Sequence, residues 1–209
     1  MDQAEQPDDG PCANKRPSAP ESGAGSPRRR PDRARLFFAL WPRPALARRL
    51  HELARAAQAV SGGRVMRRDT LHQTLAFIGD IPRERISQLI AVGRTQRFTT
   101  FGFELDLLRR WGRNRIVWAG SSTPPPALCA LAVTLVRQLS DAGFVLEERD
   151  FVPHVTLVRN SEREPAFDTI EPLVWMVEDF VLVESIRTGK GANYRIVERF
   201  AAVNGPAGP

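Results

Sequence analysis

Two apolar runs far apart in the chain carry the same tetrad: His72-Gln73-Thr74-Leu75 in one, His154-Val155-Thr156-Leu157 in the other. Both runs, 71–78 and 151–158, have the length and apolar content of buried strands bounded by turn residues. Alternate side chains of a strand point to opposite faces. His72 and Thr74 therefore share one face, and so do His154 and Thr156, while Leu75 and Leu157 point back into a core. This duplication constrains the fold more than any other feature. The chain must build two related halves, each presenting one His-x-Thr face. If the two faces meet, two imidazoles and two hydroxyls surround one small volume.

The rest of the chain supplies helices and strands to both halves. The segment 1–34 reads as a disordered polar tail, rich in Pro and Gly and without a hydrophobic period. Order is expected from near Arg35, with a buried strand at Leu36-Phe37-Phe38-Ala39-Leu40. A helix over about 45–60 places Leu46, Leu50, Leu53 and Ala57 on one face, and Ser61-Gly62-Gly63 ends it. A strand at 71–78 closes at Gly79-Asp80, and a helix follows over about 83–94. Residues 101–108 alternate, which predicts a strand with Phe101, Phe103, Leu105 and Leu107 inward. Short strands are expected at 116–119 and 151–158, with a helix between them from Pro124-Pro125-Pro126 to about Asp141, stopped by Gly143. Further strands are expected at 175–185 and 194–202, joined by a turn at Gly189-Lys190-Gly191. The fold class is α+β: one domain over 35–203 with two lobes, followed by a flexible tail at 204–209.

Charge and cysteine content narrow the partners. The net charge is +6, and only Lys15 and Lys190 among the basic residues are not Arg. In 1–31 the five acids and five bases cancel, so the folded part carries the whole excess. A basic domain favours a polyanion such as nucleic acid, and the guanidinium fork suits phosphate. The Arg28-Arg29-Arg30 run reads as part of the solvated tail. Cys12 and Cys129 suggest neither a disulfide framework nor a metal motif. No apolar run is long enough to span a membrane, and the N-terminus lacks the apolar core of a secretory signal, so the expectation is a cytoplasmic protein with no membrane partner. Without a heptad pattern the expected state is a monomer.

Two imidazoles divide acid and base work near pH 7, since the unperturbed pKa is about 6.5. Two threonine hydroxyls donate to non-bridging phosphate oxygens. No cysteine or serine in the tetrads offers a covalent nucleophile, and two histidines fall short of the three protein ligands usual for catalytic zinc. The chemistry these groups suit is metal-free and cofactor-free phosphoryl transfer, with water or a ribose hydroxyl as nucleophile. His51, on the polar side of its helix and without a partner motif, is read as structural or surface.

At these residues the chain resembles the two-histidine (2H) phosphoesterase superfamily, and within it the bacterial RNA 2′,3′-cyclic phosphodiesterases once called 2′-5′ RNA ligases. The resemblance covers about 35–203. It rests on both tetrads, on Arg35-Leu-Phe-Phe-Ala-Leu-Trp-Pro42, on Phe77-Ile-Gly79, on Ile116-Val-Trp118, on Phe151-Val-Pro153, and on Leu182-Val-Glu-Ser185 followed by Tyr194. It implies a bilobal α+β fold, two antiparallel sheets with flanking helices around a central cleft, related by a pseudo-twofold. It implies RNA ends with a 2′,3′-cyclic phosphate as partners and hydrolysis to a 2′-phosphomonoester. By that resemblance His72 is the proton donor and His154 the proton acceptor. Thr74 and Thr156 hold the phosphate oxygens, and Arg159 stabilises the charge of the transition state. Phe38 and Tyr194 are read as stacking on or binding the terminal nucleotide. Two other readings stay open here: 2′-5′ ligation by the same site run backwards, and an RNA-end-binding protein without turnover.

Overall fold

The computed structural model describes residues 32–147, 150–166, 168–189 and 191–203. Residues 1–31 of the tail expected at 1–34 and the tail expected at 204–209, with Cys12, the Arg28-Arg29-Arg30 run and Lys190, lie outside these residues. The first strand, β1 (Arg33–Leu40), starts ahead of the expected onset at Arg35, because its ladder continues to Arg33 opposite Pro82.

With β1, the described residues form nine strands and three α-helices. After β1 come α1 (Pro44–Ser61), β2 (Arg64–Val65), β3 (Gln73–Pro82) and α2 (Ile86–Thr95). Then come β4 (Phe101–Trp111), β5 (Ile116–Gly120), α3 (Pro126–Asp141), β6 (His154–Arg159), β7 (Thr169–Val177), β8 (Asp179–Thr188) and β9 (Gly191–Ala201). The helix starts agree with their prolines: α1 and α3 carry proline in the first turn, where no intrahelical N–H is needed. Gly143, with φ of 76°, takes the left-handed conformation that follows α3. α1 buries Ala47, Leu50, Ala54 and Ala57, so its inward face is turned slightly from the expected one, leaving Leu46 and Leu53 half-buried at its edges.

All pairings are antiparallel, and the strand order is β7-β4-β5-β6-β3-β1-β8-β9, with β2 added to β6. The order contains two four-stranded halves of matching plan. In each, the tetrad strand is innermost. The expected two sheets are joined here at one bridging pair, Gln73 opposite Val155. Two of the helices cross over between halves. α1 follows β1 but packs on β6 and β7, and α3 precedes β6 but packs on β3, while α2 stays with β8 and β9. The apolar stripes of α1 and α3 thus lie beneath the other half's strands, which ties the lobes into one core. Leu36, Phe38 and Leu40 of β1 sit in that core with Phe180 and Phe200.

Two strand expectations need correction. The single strand expected at 175–185 is two strands in different halves, β7 on β4 and β8 on β1, separated at Glu178. In β4 the inward residue after Leu105 is Leu108, not Leu107, because a register shift against β7 between Leu105 and Leu107 reverses the alternation. Cys129 on α3 is a half-buried free thiol. Among the described residues no helix is long and apolar enough to cross a membrane.

Candidate active site

The bridge between the halves sets the site. Gln73 and Val155 are the middle residues of their tetrads and pair with each other in antiparallel register. By the same register His72 lies across from Thr156, and Thr74 across from His154. A local twofold therefore passes through the bridging pair, and each imidazole has the other strand's hydroxyl beside it. Gln73 and Val155 point away from the cleft, and both are fully buried. Neither amide atom of Gln73 has a hydrogen-bond partner among the described residues.

Both tetrad strands are bulged at corresponding places. In β3 the partners of Phe38 and Ala39 are Ala76 and Thr74, so β3 holds an extra residue at Leu75. In β6 the partners of Trp118 and Val117 are Thr156 and Val158, so β6 holds its extra residue at Leu157. An offset of five from a cleft-facing histidine is odd and points backward on a regular strand. The bulge restores the parity. It buries Leu157 and Val158 together and turns Arg159 to the cleft; likewise it buries Leu75 and Ala76 and turns Phe77 there. Arg159 and Phe77 thus occupy equivalent positions, one basic and one aromatic. The Arg159 charge acts on His72 and Tyr194.

The two histidines are held alike. His72 lies just before β3, not within it, and its Nδ1 donates to the carbonyl of Thr70 at 2.7 Å. His154 Nδ1 donates to the carbonyl of Val152 at 2.8 Å. A carbonyl only accepts, so both rings carry hydrogen on Nδ1, and Nε2 is the nitrogen that can gain or lose a proton. Trp41 stacks on His72 with centroids 5.5 Å apart, and Phe37 and Tyr194 approach at 4.8 and 5.2 Å. Trp111 meets His154 edge-on at 4.5 Å, with Trp118 at 6.1 Å. Gly120 leaves the space for Trp118, since a Cβ there would come within 2.5 Å of the indole. Burial among these rings pushes the His72 pKa down to about 4, and the nearby His154 and Arg159 charges lower it further against the opposing bond to Thr70. His72 is therefore neutral at pH 7 in the open cleft.

A cavity of about 1150 Å³ is lined by His72, Thr74, His154, Thr156, Arg159 and Tyr194, so six of the expected site residues come together. Phe38 does not. It is fully buried on the core face of β1, in contact with Phe180 and Phe200, and touches no ligand space. Its neighbour Phe37 faces the cleft instead, on the same parity as Arg35 and Ala39. That charged residue is the sequence signal that identifies the open face, since a buried face would not carry it. Burial holds the Tyr194 hydroxyl above its ordinary pKa, so it stays protonated as a donor. His51 is away from the site, half-buried, with Nδ1 3.2 Å from the Met66 carbonyl. The tryptophan walls were missed because Trp41, Trp111 and Trp118 are scattered in sequence. Among the described residues no three His, Cys, Asp or Glu side chains group at metal-binding distances.

Known proteins resemble this chain in sequence and fold. The family described as LigT like Phosphoesterase matches residues 40–118, a stretch that contains His72 and Thr74 but ends before His154. The chain is 30% identical over 171 residues to an Escherichia coli (strain K12) protein named RNA 2′,3′-cyclic phosphodiesterase, covering 80% of this chain and 96% of that one. An Archaeoglobus fulgidus protein of the same name is 27% identical over 176 residues, covering 79% of this chain and 99% of that one. Among solved structures, E. coli LigT in apo form superposes with a TM-score of 0.76 at 29% identity, over 83% of this chain and 99% of that one. E. coli LigT complexed with 3′-AMP superposes with a TM-score of 0.74 at 30% identity, over 83% and 100%.

Proposed function

Because this chain belongs to the LigT-like phosphoesterase family, whose relatives include RNA 2′,3′-cyclic phosphodiesterases, we propose that its paired tetrads hydrolyse the cyclic phosphodiester at an RNA end to a 2′-phosphomonoester, without metal. The observation that carries the reading is the register of the bridge. It sets two Nε2 atoms and two threonine hydroxyls around one space, with Arg159 turned in by the bulge.

The cyclic phosphate enters with its non-bridging oxygens toward the hydroxyls of Thr74 and Thr156. His154 Nε2 takes a proton from water as the water oxygen bonds to phosphorus. The bond from phosphorus to the 3′ oxygen breaks, and His72 Nε2 gives that oxygen its proton. The Arg159 guanidinium offsets the added negative charge on the phosphoryl oxygens. His72 begins neutral in the open cleft, but the substrate's anion favours its charged form, and the low pKa makes it a strong acid once charged. Tyr194, edge-on to His72, lies where the terminal nucleoside meets the ring wall.

The test is product mapping. Chelator-treated protein is incubated with RNA ending in 2′,3′-cyclic phosphate, and the released ends are identified. The expected product is a 2′-phosphomonoester. A 3′-phosphomonoester would overturn the assigned direction of ring opening, and no product would overturn the hydrolytic reading.

A further inference from the structure

We propose that the RNA chain behind the reacting end leaves the cleft through an arginine-lined groove between β1 and β8, where its backbone phosphates are bound. This rests on the hydrolytic reading above and adds a subsite to it.

The groove comes from a split in the sheet. The ladder between β1 and β8 ends at Leu36 opposite Glu184. Beyond that pair β1 continues along β3 to Arg33 opposite Pro82, and β8 continues along β9 to Thr188 opposite Gly191. The two strands diverge, and the wedge between them is a hollow of about 450 Å³. Arg35 and Ser185 line both this hollow and the catalytic cavity, so the two are continuous.

Its walls are strongly basic. Arg33, Arg35, Arg83, Arg187 and Arg195 line it against two carboxylates, Asp80 and Glu184. Both carboxylates are engaged. Glu184, 2% exposed at the apex of the wedge, is clamped between Arg83 and Arg195, and Asp80 accepts from Arg35 at 2.9 Å. Arg83 also pairs with Asp32. Two exposed arginines remain: Arg33, bonded only to the Asp80 carbonyl, and Arg187, with no partner among the described residues. Elsewhere on the cavity lining Arg113 and Arg137 are equalled in number by Glu147 and Asp150, which leaves Arg159 for the reacting phosphate and the groove for the phosphates behind it. Planar guanidinium groups spaced along an open groove suit successive phosphates, and such contacts bind the backbone whatever the base sequence.

The test compares an oligoribonucleotide ending in 2′,3′-cyclic phosphate with a 2′,3′-cyclic mononucleotide, in wild type and in Arg33→Ala/Arg187→Ala. The wild type is expected to prefer the oligonucleotide, with kcat/KM falling as salt rises. In the variant that preference falls several-fold, and the slope of log kcat/KM against log salt is shallower by about 1.4, from two phosphates at ~0.7 each on a single strand. Arg33→Lys/Arg187→Lys restores most of the slope. Equal losses on both substrates, or an unchanged preference and slope, would overturn the proposal. Binding of a 2′-phosphorylated oligonucleotide, followed by anisotropy, separates the two readings. If turnover is absent but the variant still loses that salt slope in binding, the groove stands and the hydrolytic reading fails; if binding is also unchanged, the groove fails.

Discussion

At the scale of single residues, the site depends on how its two rings are held. Both histidines spend Nδ1 on a backbone carbonyl. His72 sits in a cage of Phe37, Trp41 and Tyr194, which makes its charged form costly. A phosphodiester anion reverses that cost, so binding should take up a proton. The sign follows from linkage: above the free pKa of about 4, affinity falls as pH rises until the pKa of the bound state is reached, by up to about tenfold per unit. Calorimetry with a non-hydrolysable analogue of the cyclic diester, run at pH 6.5 to 7 in buffers of different ionisation enthalpy, should show an uptake approaching one proton per ligand. No uptake would mean that His72 stays neutral and is not the acid. The tetrads made both rings legible in the sequence. The cage was not, because it is assembled from β1, β9 and the residue after β1, which only the fold brings together. Phe38 was misassigned for the same reason: parity along β1 decides between adjacent phenylalanines, and Arg35 is what fixes that parity.

At the scale of elements, bulges decide what faces the cleft. Period-2 reading located β1, β3, β4, β5 and β6 to within a few residues, but a bulge leaves no mark in the hydrophobic pattern. Arg159 reached the cleft from an odd offset only through the extra residue at Leu157, and Leu108 replaced Leu107 inside β4 in the same way. The change of strand at Glu178 is marked in the sequence only by Glu178-Asp179, because Val174 and Met176, exposed in β7, are as apolar as the buried run of β8. The bulged end of β6 is held by β2, with Arg64 opposite Arg159 and Val65 opposite Val158. Gly63, just before β2, has φ of 86°, and a Cβ there would come within 2.6 Å of the Arg159 carbonyl. Gly63→Ala should therefore move the strand that carries Arg159. The expected cost is at least ~1–3 kcal/mol in denaturant unfolding, from the backbone clash and the strained φ, with a lower kcat in the protein that remains folded. Wild-type stability together with wild-type kcat would show that β2 does not hold Arg159 in place.

At the scale of the whole domain, the two halves are joined at one bridging pair and by helices that pack across the join. Two lobes could be read from the repeated tetrads, since a motif that occurs twice on strands requires two strands that meet. The crossing of α1 and α3 could not, because an amphipathic helix states that it has an apolar face but not which sheet covers it. That crossing keeps the opposed faces in register, so the paired site is a property of both lobes together. A site shared in this way requires that neither histidine works alone. Its most direct test is the turnover of an RNA 2′,3′-cyclic phosphate by chelator-treated wild type, His72→Ala and His154→Ala, each first shown to be folded. Each substitution is predicted to lower kcat by about 10²- to 10⁴-fold, the usual contribution of a positioned acid or base. Near-wild-type turnover by either folded variant would contradict it.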